Sequence, residues 1–208
     1  MPDNSRVLDA GAGTGIYRHL FDHCQYESVD FARIDKPYGE LTYICDLSKI
    51  PVEDERFDGV ICTQVLEHLP DPLAVLEELH RVSKRGGILF ASAPLFYEEH
   101  EQPYDFFRYT RYALRSLLER ANFEVRQIDW LEGYCGTLSY QFQTAARSLP
   151  IHPRCYGGGI RGITAGMMAC GLRPALSRLA NFYAALDVRR KLDNVGYPIN
   201  YTAVAVKR

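Results

Sequence analysis

Alternating glycines beside an acid carry the first chemical suggestion in this chain. Gly11, Gly13 and Gly15 alternate in Val7-Leu8-Asp9-Ala10-Gly11-Ala12-Gly13-Thr14-Gly15, directly after a short apolar run. Glycines let a backbone turn tightly and approach a ligand with no Cβ in the way. Ile16, Tyr17, Leu20 and Phe21 follow at helical spacing. The segment therefore predicts a strand, a glycine turn and a helix whose unpaired N–H groups face a site. A dinucleotide fingerprint needs a small third residue where Ile16 stands. Asp9, at the strand end, would repel a pyrophosphate. It suits a ligand that carries an ammonium group and no phosphate.

More acids follow at strand ends. Tyr26 to Asp30 reads as a second strand, and Asp30 falls 19 residues after Gly11 (30 − 11). At that spacing a carboxylate reaches a ribose diol in such folds. Tyr43 to Leu47 is a third apolar run, with Asp46 near its end. Phe57 to His68 is a fourth strand passing into a Val65-Leu66-Glu67-His68 turn.

With these residues the chain resembles the class I S-adenosylmethionine-dependent methyltransferases. Asp9 to Gly15 matches the family's first motif, and Phe57-Asp58-Gly59-Val60 leading to Val65-Leu66-Glu67-His68 matches a later one. The resemblance implies S-adenosylmethionine as cofactor and S-adenosylhomocysteine as product, with no metal. It assigns the cofactor to Asp9, Ala10, Gly11, Gly13, Asp30, Phe31, Asp46, Leu47 and Gln64, with Asp46 toward the adenine amino group. It also leads one to expect one or two helices before the first strand. Only Met1 to Arg6 stand there. Either the site is more open than usual, or another segment covers it, or the sequence is part of a longer one.

The elements that must position these residues continue the alternation. Asp71 and Pro72 are set to start a helix carrying Leu73, Leu76, Leu79 and Val82, with Gly86 ending it. Gly87 to Ala93 reads as a fifth strand. Thr110 is set to cap a helix with Leu114, Leu117 and Leu118, closed by Asn122. Phe123 to Trp130 reads as a sixth strand and Tyr201 to Val206 as the last. Strands alternating with helices predict an α/β, Rossmann-like, seven-stranded and mostly parallel sheet with helices on both faces. The resemblance places the last strand antiparallel between the fifth and sixth. The expected organisation is a single domain over 1–208, with a cofactor-binding core at 1–136 and a basic helical insert at 137–200.

The substrate side falls on the loop after the fifth strand, at the carboxyl edge where open α/β sheets bind ligands. It runs from Phe96 to Thr110 and resembles a H-x-x-P-x-D-x-x-R-x-T stretch of methyltransferases associated with polysaccharide or glycolipid assembly. The implied reaction is methyl transfer to a small-molecule hydroxyl on a sugar or lipid-linked substrate. His100 is the first candidate base, because imidazole titrates near neutrality. His68 is the second, and Asp105 the carboxylate beside them. The alternative is a binding or scaffold protein that keeps the fold without turnover. A nicotinamide oxidoreductase is disfavoured by Asp9 and Ile16.

Charge divides the chain. Residues 144–208 hold ten Lys or Arg against Asp187 and Asp193, while residues 1–143 hold fourteen basic and twenty-four acidic residues. Leu176, Leu179, Tyr183 and Leu186 form a helical stripe in the basic part. A basic amphipathic segment suits an anionic membrane surface. Nucleic acid is not expected. The alternative is that the basic face packs on the acidic core. Six cysteines without a C-x-x-C pair, and no signal-peptide pattern, suggest reduced thiols and a cytoplasmic location, with peripheral membrane contact. The six histidines show no metal-ligand spacing with the cysteines.

Overall fold

Short apolar runs become the strands of one sheet. They are β1 (Arg6–Ala10), β2 (Gln25–Asp30), β3 (Tyr43–Ile44), β4 (Phe57–Thr63), β5 (Ser83–Pro94), β6 (Phe123–Trp130) and β7 (Asn200–Lys207). The computed structural model describes residues 1–208. The sheet order is β3-β2-β1-β4-β5-β7-β6. β1 pairs in parallel with β2 and with β4, and β4 in parallel with β5. β7 runs antiparallel to β5, from Ile88 opposite Val206 to Pro94 opposite Asn200. Val7, Leu8, Val60, Cys62, Leu89 and Ala91 are buried, as central strands covered on both faces require.

Two helices pack in this unit. Helix α1 (Pro72–Val82) starts where Asp71 Oδ1 accepts from the Ala74 N–H at 3.1 Å, with Pro72 at its first position. Helix α2 (Arg111–Arg120) is capped by Thr110, and Asn122 takes the left-handed conformation after it. Leu76, Leu79, Leu114 and Leu118 are fully buried, so the apolar stripes face the core.

Two local expectations are corrected. The helix expected after the glycine loop is only a 3-10 turn, Arg18–Phe21. Ile16 is 62% exposed and Leu20 55%, so their spacing does not mark a buried stripe. β2 begins at Gln25, which leaves too little chain after Gly15 for a helix and its return. Gly86 does not end α1. That helix stops at Val82, where Ser83 turns extended and its Oγ donates to the Leu79 carbonyl. Gly86, at φ +76°, instead lies within an irregular stretch of β5, where the register against β4 shifts between Phe57 and Gly59.

Contacts separate the chain into one unit of residues 1–129 with 200–208 and a second of residues 130–199. The second holds α3 (Tyr134–Ser148) and α4 (Gly159–Arg189), joined through a 3-10 turn at Pro153–Tyr156. Phe142 stacks on Tyr183 with ring centroids 5.6 Å apart. Gly162 and Gly166 let α4 approach the connecting backbone, since a Cβ there would meet the Pro153 and Ile151 carbonyl oxygens within 2.5 Å. Arg173 donates to the Leu149 and Arg147 carbonyls at the end of α3. The stripe expected from sequence splits: Leu176, Tyr183 and Leu186 are half-buried, while Leu179 is exposed. No helix is long and apolar enough to cross a membrane, and all six cysteines are free thiols.

Candidate active site

The carboxyl ends of β1, β2 and β4 converge on two adjoining cavities. One, of about 250 Å³, is lined by Asp9, Gly13, Thr14 and Tyr17. The other, of about 370 Å³, is lined by Asp30, Phe31, Asp46, Leu47, His68 and Tyr104. Gly11, Lys36 and Gln64 border both. Of the residues assigned to the cofactor from sequence, all but Ala10 line one cavity or the other. Ala10 is buried within β1.

The glycine loop is shaped by backbone. Gly11, Gly13 and Gly15 have φ of +77°, +53° and +73°, which side-chain-bearing residues rarely adopt. Its N–H groups are held from below: Gly11 and Ala12 donate to the Val29 carbonyl, and Gly13 donates to Asp30 Oδ2 at 3.0 Å. A Cβ on Gly13 or Gly15 would meet nothing within 4 Å, so the loop faces open space. Asp30 also accepts from the Ala32 N–H at 3.2 Å through Oδ1. A carboxylate offers about four lone-pair sites, so each oxygen keeps one for a diol.

Asp9 is buried at the other side of the loop and accepts from the Tyr26 hydroxyl. Burial raises its pKa above the ordinary carboxylate value, the Tyr26 hydrogen bond opposes this, and the Asp30 charge adds to it. A buried anion held this way lacks a cationic partner, and a ligand ammonium group would supply one. Asp46 is held ionised by the backbone and hydroxyl of Ser48. The residues present thus fit S-adenosylmethionine: an acid for the ammonium, an open glycine loop, and acids for the ribose and adenine.

The candidate bases lie where the β4 turn meets the loop after β5. His68 Nδ1 is bonded to the Tyr104 carbonyl, which can only accept, so this nitrogen carries the proton and Nε2 keeps its lone pair. The His68 and His100 rings meet edge to face at 4.6 Å. His68 lines the larger cavity, but His100 lines neither. Asp105 is nearly buried and paired with Arg108 through both oxygens, at 2.6 and 2.9 Å, and accepts the His100 backbone N–H at 2.8 Å. That pair holds its carboxyl well below the usual range. Asp105 therefore pins the loop and stands 3.5 Å from His100 Nδ1.

Sequence reading passed over three residues here. Lys36 borders both cavities and pairs with Glu101 at 2.6 Å. Tyr104 lines the larger cavity and orients His68. Glu67, in the turn after β4, is fully buried, and neither carboxylate oxygen has a hydrogen-bond partner. Burial pushes its carboxyl up to about 7, with its own backbone N–H and Arg108 opposing and the Asp105 and Glu101 charges adding to the rise.

The strand order, the antiparallel β7 and the glycine loop at the carboxyl edge define the class I methyltransferase fold. A methyltransferase domain family matches residues 1–128, and the chain belongs to that family. The tRNA U34 carboxymethyltransferase of Nautilia profundicola is 29% identical over 174 residues, which cover 63% of this chain and 56% of that protein. A ubiquinone biosynthesis O-methyltransferase of Xanthomonas oryzae is 34% identical over 101 residues, 42% of each chain. The chain thus spans about half the length of these relatives or less. In structure it is similar to the Burkholderia thailandensis 1,6-didemethyltoxoflavin-N1-methyltransferase, solved with 1,6-didemethyltoxoflavin and S-adenosylhomocysteine bound. That likeness has a TM-score of 0.52 at 23% identity and covers 62% of this chain and 64% of that one.

Proposed function

We propose that the chain transfers the methyl group of S-adenosylmethionine to a hydroxyl of a small acceptor, sugar- or lipid-linked. The observation that carries this reading is the pair of adjoining cavities with an acid for each part of the cofactor, Asp9 and Asp30 buried and Asp46 exposed, and the His68 imidazole lining the same space. The cofactor, when bound, supplies a methyl group on a sulfonium that is already a good leaving group. The protein's own part is to hold the acceptor oxygen in line and exclude water. Asp9, the glycine loop, Asp30 and Asp46 bind and orient the cofactor. Phe106 and Tyr104 wall the larger cavity. The acceptor's proton goes to the Glu67–His68–His100 cluster, where His68 lines the cavity and its Nε2 keeps a lone pair. The O–H bond breaks as the O–CH₃ bond forms. The O-methyltransferase relative supports a hydroxyl acceptor.

The lipid-linked form of the acceptor has separate support in α4. Ile160, Ile163, Met167, Met168 and Phe182 are exposed along it, at 50% to 82%. Arg161, Arg178 and Arg189 are exposed on the same helix, and no Asp or Glu occurs between Thr144 and Leu186. Apolar side chains with arginines and no acid suit the boundary layer of an anionic membrane.

Calorimetry with S-adenosylhomocysteine and NAD side by side tests the cofactor. One-to-one binding of the first and none of the second is expected; the reverse would overturn the reading. Methyl transfer from labelled cofactor is then measured to a polyprenylated catechol, a sugar-linked lipid and a tRNA transcript. Labelling of tRNA alone would remove the small-molecule acceptor. Cofactor binding with no labelled acceptor would favour the scaffold alternative.

A further inference from the structure

We propose that Glu67, His68 and His100 form a binding site for a divalent transition-metal ion of the zinc type. Two independent features point there. The first is ligand convergence: one oxygen of Glu67 and one ring nitrogen from each histidine lie within 4.8 Å of one another. His68 Nε2 is 4.0 Å from Glu67 Oε1 and 3.9 Å from Glu101 Oε2, so a fourth donor stands beside the three. The second is the state of Glu67. Its carboxylate is fully buried, yet neither oxygen receives a hydrogen bond. A buried carboxylate with no partner is costly, and a cation is the group that removes the cost.

The histidines are set for the same purpose. Nδ1 of His68 is committed to the Tyr104 carbonyl, and Nδ1 of His100 lies 3.1 Å from the Glu98 carbonyl. Both contacts make Nδ1 the proton-bearing nitrogen and leave Nε2 as a lone pair. Metal-binding imidazoles have this arrangement, with the second nitrogen donating to a carbonyl or carboxylate. Ligands about 2.1 Å from a tetrahedral ion stand about 3.4 Å apart. Closing the cluster onto an ion therefore takes a shift on the order of 1 Å, which falls on the partly exposed His100 in its loop. Two imidazoles and a carboxylate favour zinc, iron(II) or manganese(II) over magnesium or calcium.

The site borders the larger cavity through His68 and Glu101, so its catalytic consequence rests on the proposed function, whereas ion binding does not. With an ion in place the imidazoles are ligands and no longer bases. An acceptor hydroxyl bound to the ion would lose its proton to water.

The test titrates Zn²⁺, and Co²⁺ as a spectroscopic substitute, into the metal-stripped full chain. One equivalent should bind, and the cobalt spectrum should lack thiolate charge-transfer bands, since Cys155 and Cys170 are exposed and would otherwise compete. Glu67→Gln keeps the shape of the buried residue and should weaken binding about 100-fold, the upper end for loss of even an outer-shell partner. His100→Ala lies in the loop and should do the same. No stoichiometric binding, binding unchanged in both variants, or thiolate bands in the cobalt spectrum would overturn the proposal. S-adenosylhomocysteine binding measured on the same samples separates this failure from failure of the proposed function.

Discussion

A β-carbon on Gly11 would stand 2.3 Å from Cγ2 of Val65. The glycine loop and the turn after β4 are thus fitted to each other before any ligand arrives. Gly11→Ala combines this overlap with a left-handed φ of +77°, a strain of about 1–3 kcal/mol. It should lower the melting temperature and weaken S-adenosylhomocysteine binding at least tenfold. Adding Val65→Ala should recover the part due to overlap and leave the part due to φ. Equal melting of Gly11→Ala and the parent would remove this account.

Asp30 has two duties, since it already holds the Gly13 and Ala32 N–H groups. Asp30→Asn should therefore weaken the cofactor product by more than the ribose contact alone. The ribose part is isolated by a 2′,3′-dideoxy analogue. The parent should lose roughly 1.5–3 kcal/mol on removal of the diol, the range for a hydrogen bond to a charged group, and the variant close to nothing. An equal loss in both proteins, measured by calorimetry, would mean that the diol binds elsewhere.

Asp9 predicts a pH dependence of binding with a definite sign. Its pKa is raised in the folded protein by burial, and a ligand ammonium group prefers the ionised carboxylate. Affinity should therefore fall as pH drops through that raised value and level off above it. Asp9→Asn should bind at least tenfold more weakly at neutral pH and lose the dependence. Affinity that rises toward acid would contradict an ammonium partner.

Vesicle sedimentation checks the α4 face. Charge removal in Arg161→Gln, Arg178→Gln and Arg189→Gln together should cost about 1 kcal/mol each on anionic vesicles. Raised salt should mimic the change in the parent. Phe182→Ser should weaken binding at every salt concentration. Lys191 makes a poorer probe because its ammonium donates to the Trp130 carbonyl. Vesicle binding absent throughout would end the lipid reading.

The Glu78–Arg81 pair should contribute to acid sensitivity. Arg81 lies 2.7 Å from Glu78 Oε1, which also accepts the Ile50 N–H at 2.7 Å. The Arg81 hydrogen bond chiefly lowers the Glu78 pKa. A lowered carboxylate pKa gives stability that is present above the unfolded value, near 4.3, and lost as pH falls through the folded one. Glu78→Gln should lower stability by about 1.5–3 kcal/mol at neutral pH. Its acid unfolding midpoint should then shift less than that of the parent, as followed by circular dichroism.

The strands and their terminal acids were legible because a buried strand is a local pattern and glycine marks its end. Asp9 and Asp30 follow from that pattern directly. The missing helix after Gly15 was not legible, since Ile16 and Leu20 have helical spacing whether or not anything covers them. Glu67 is the clearer case. In Val65-Leu66-Glu67-His68 the histidine attracts notice, while the burial of its neighbour depends on the loop around Tyr104, more than thirty residues later. Lys36 was missed for a similar reason: it reaches the cavities from an irregular segment with no periodicity to betray it.

The pairing of β5 with β7 has a consequence for the growing chain. β5 is complete once Pro94 has been made, but its outer edge must wait for Asn200 to Lys207. Throughout that interval an apolar strand with unpaired N–H and C=O groups is available to any other nascent polypeptide. Synthesis speed and temperature should therefore govern yield more than the stability of the finished protein does, and slow, cool expression in the presence of holding chaperones should favour recovery.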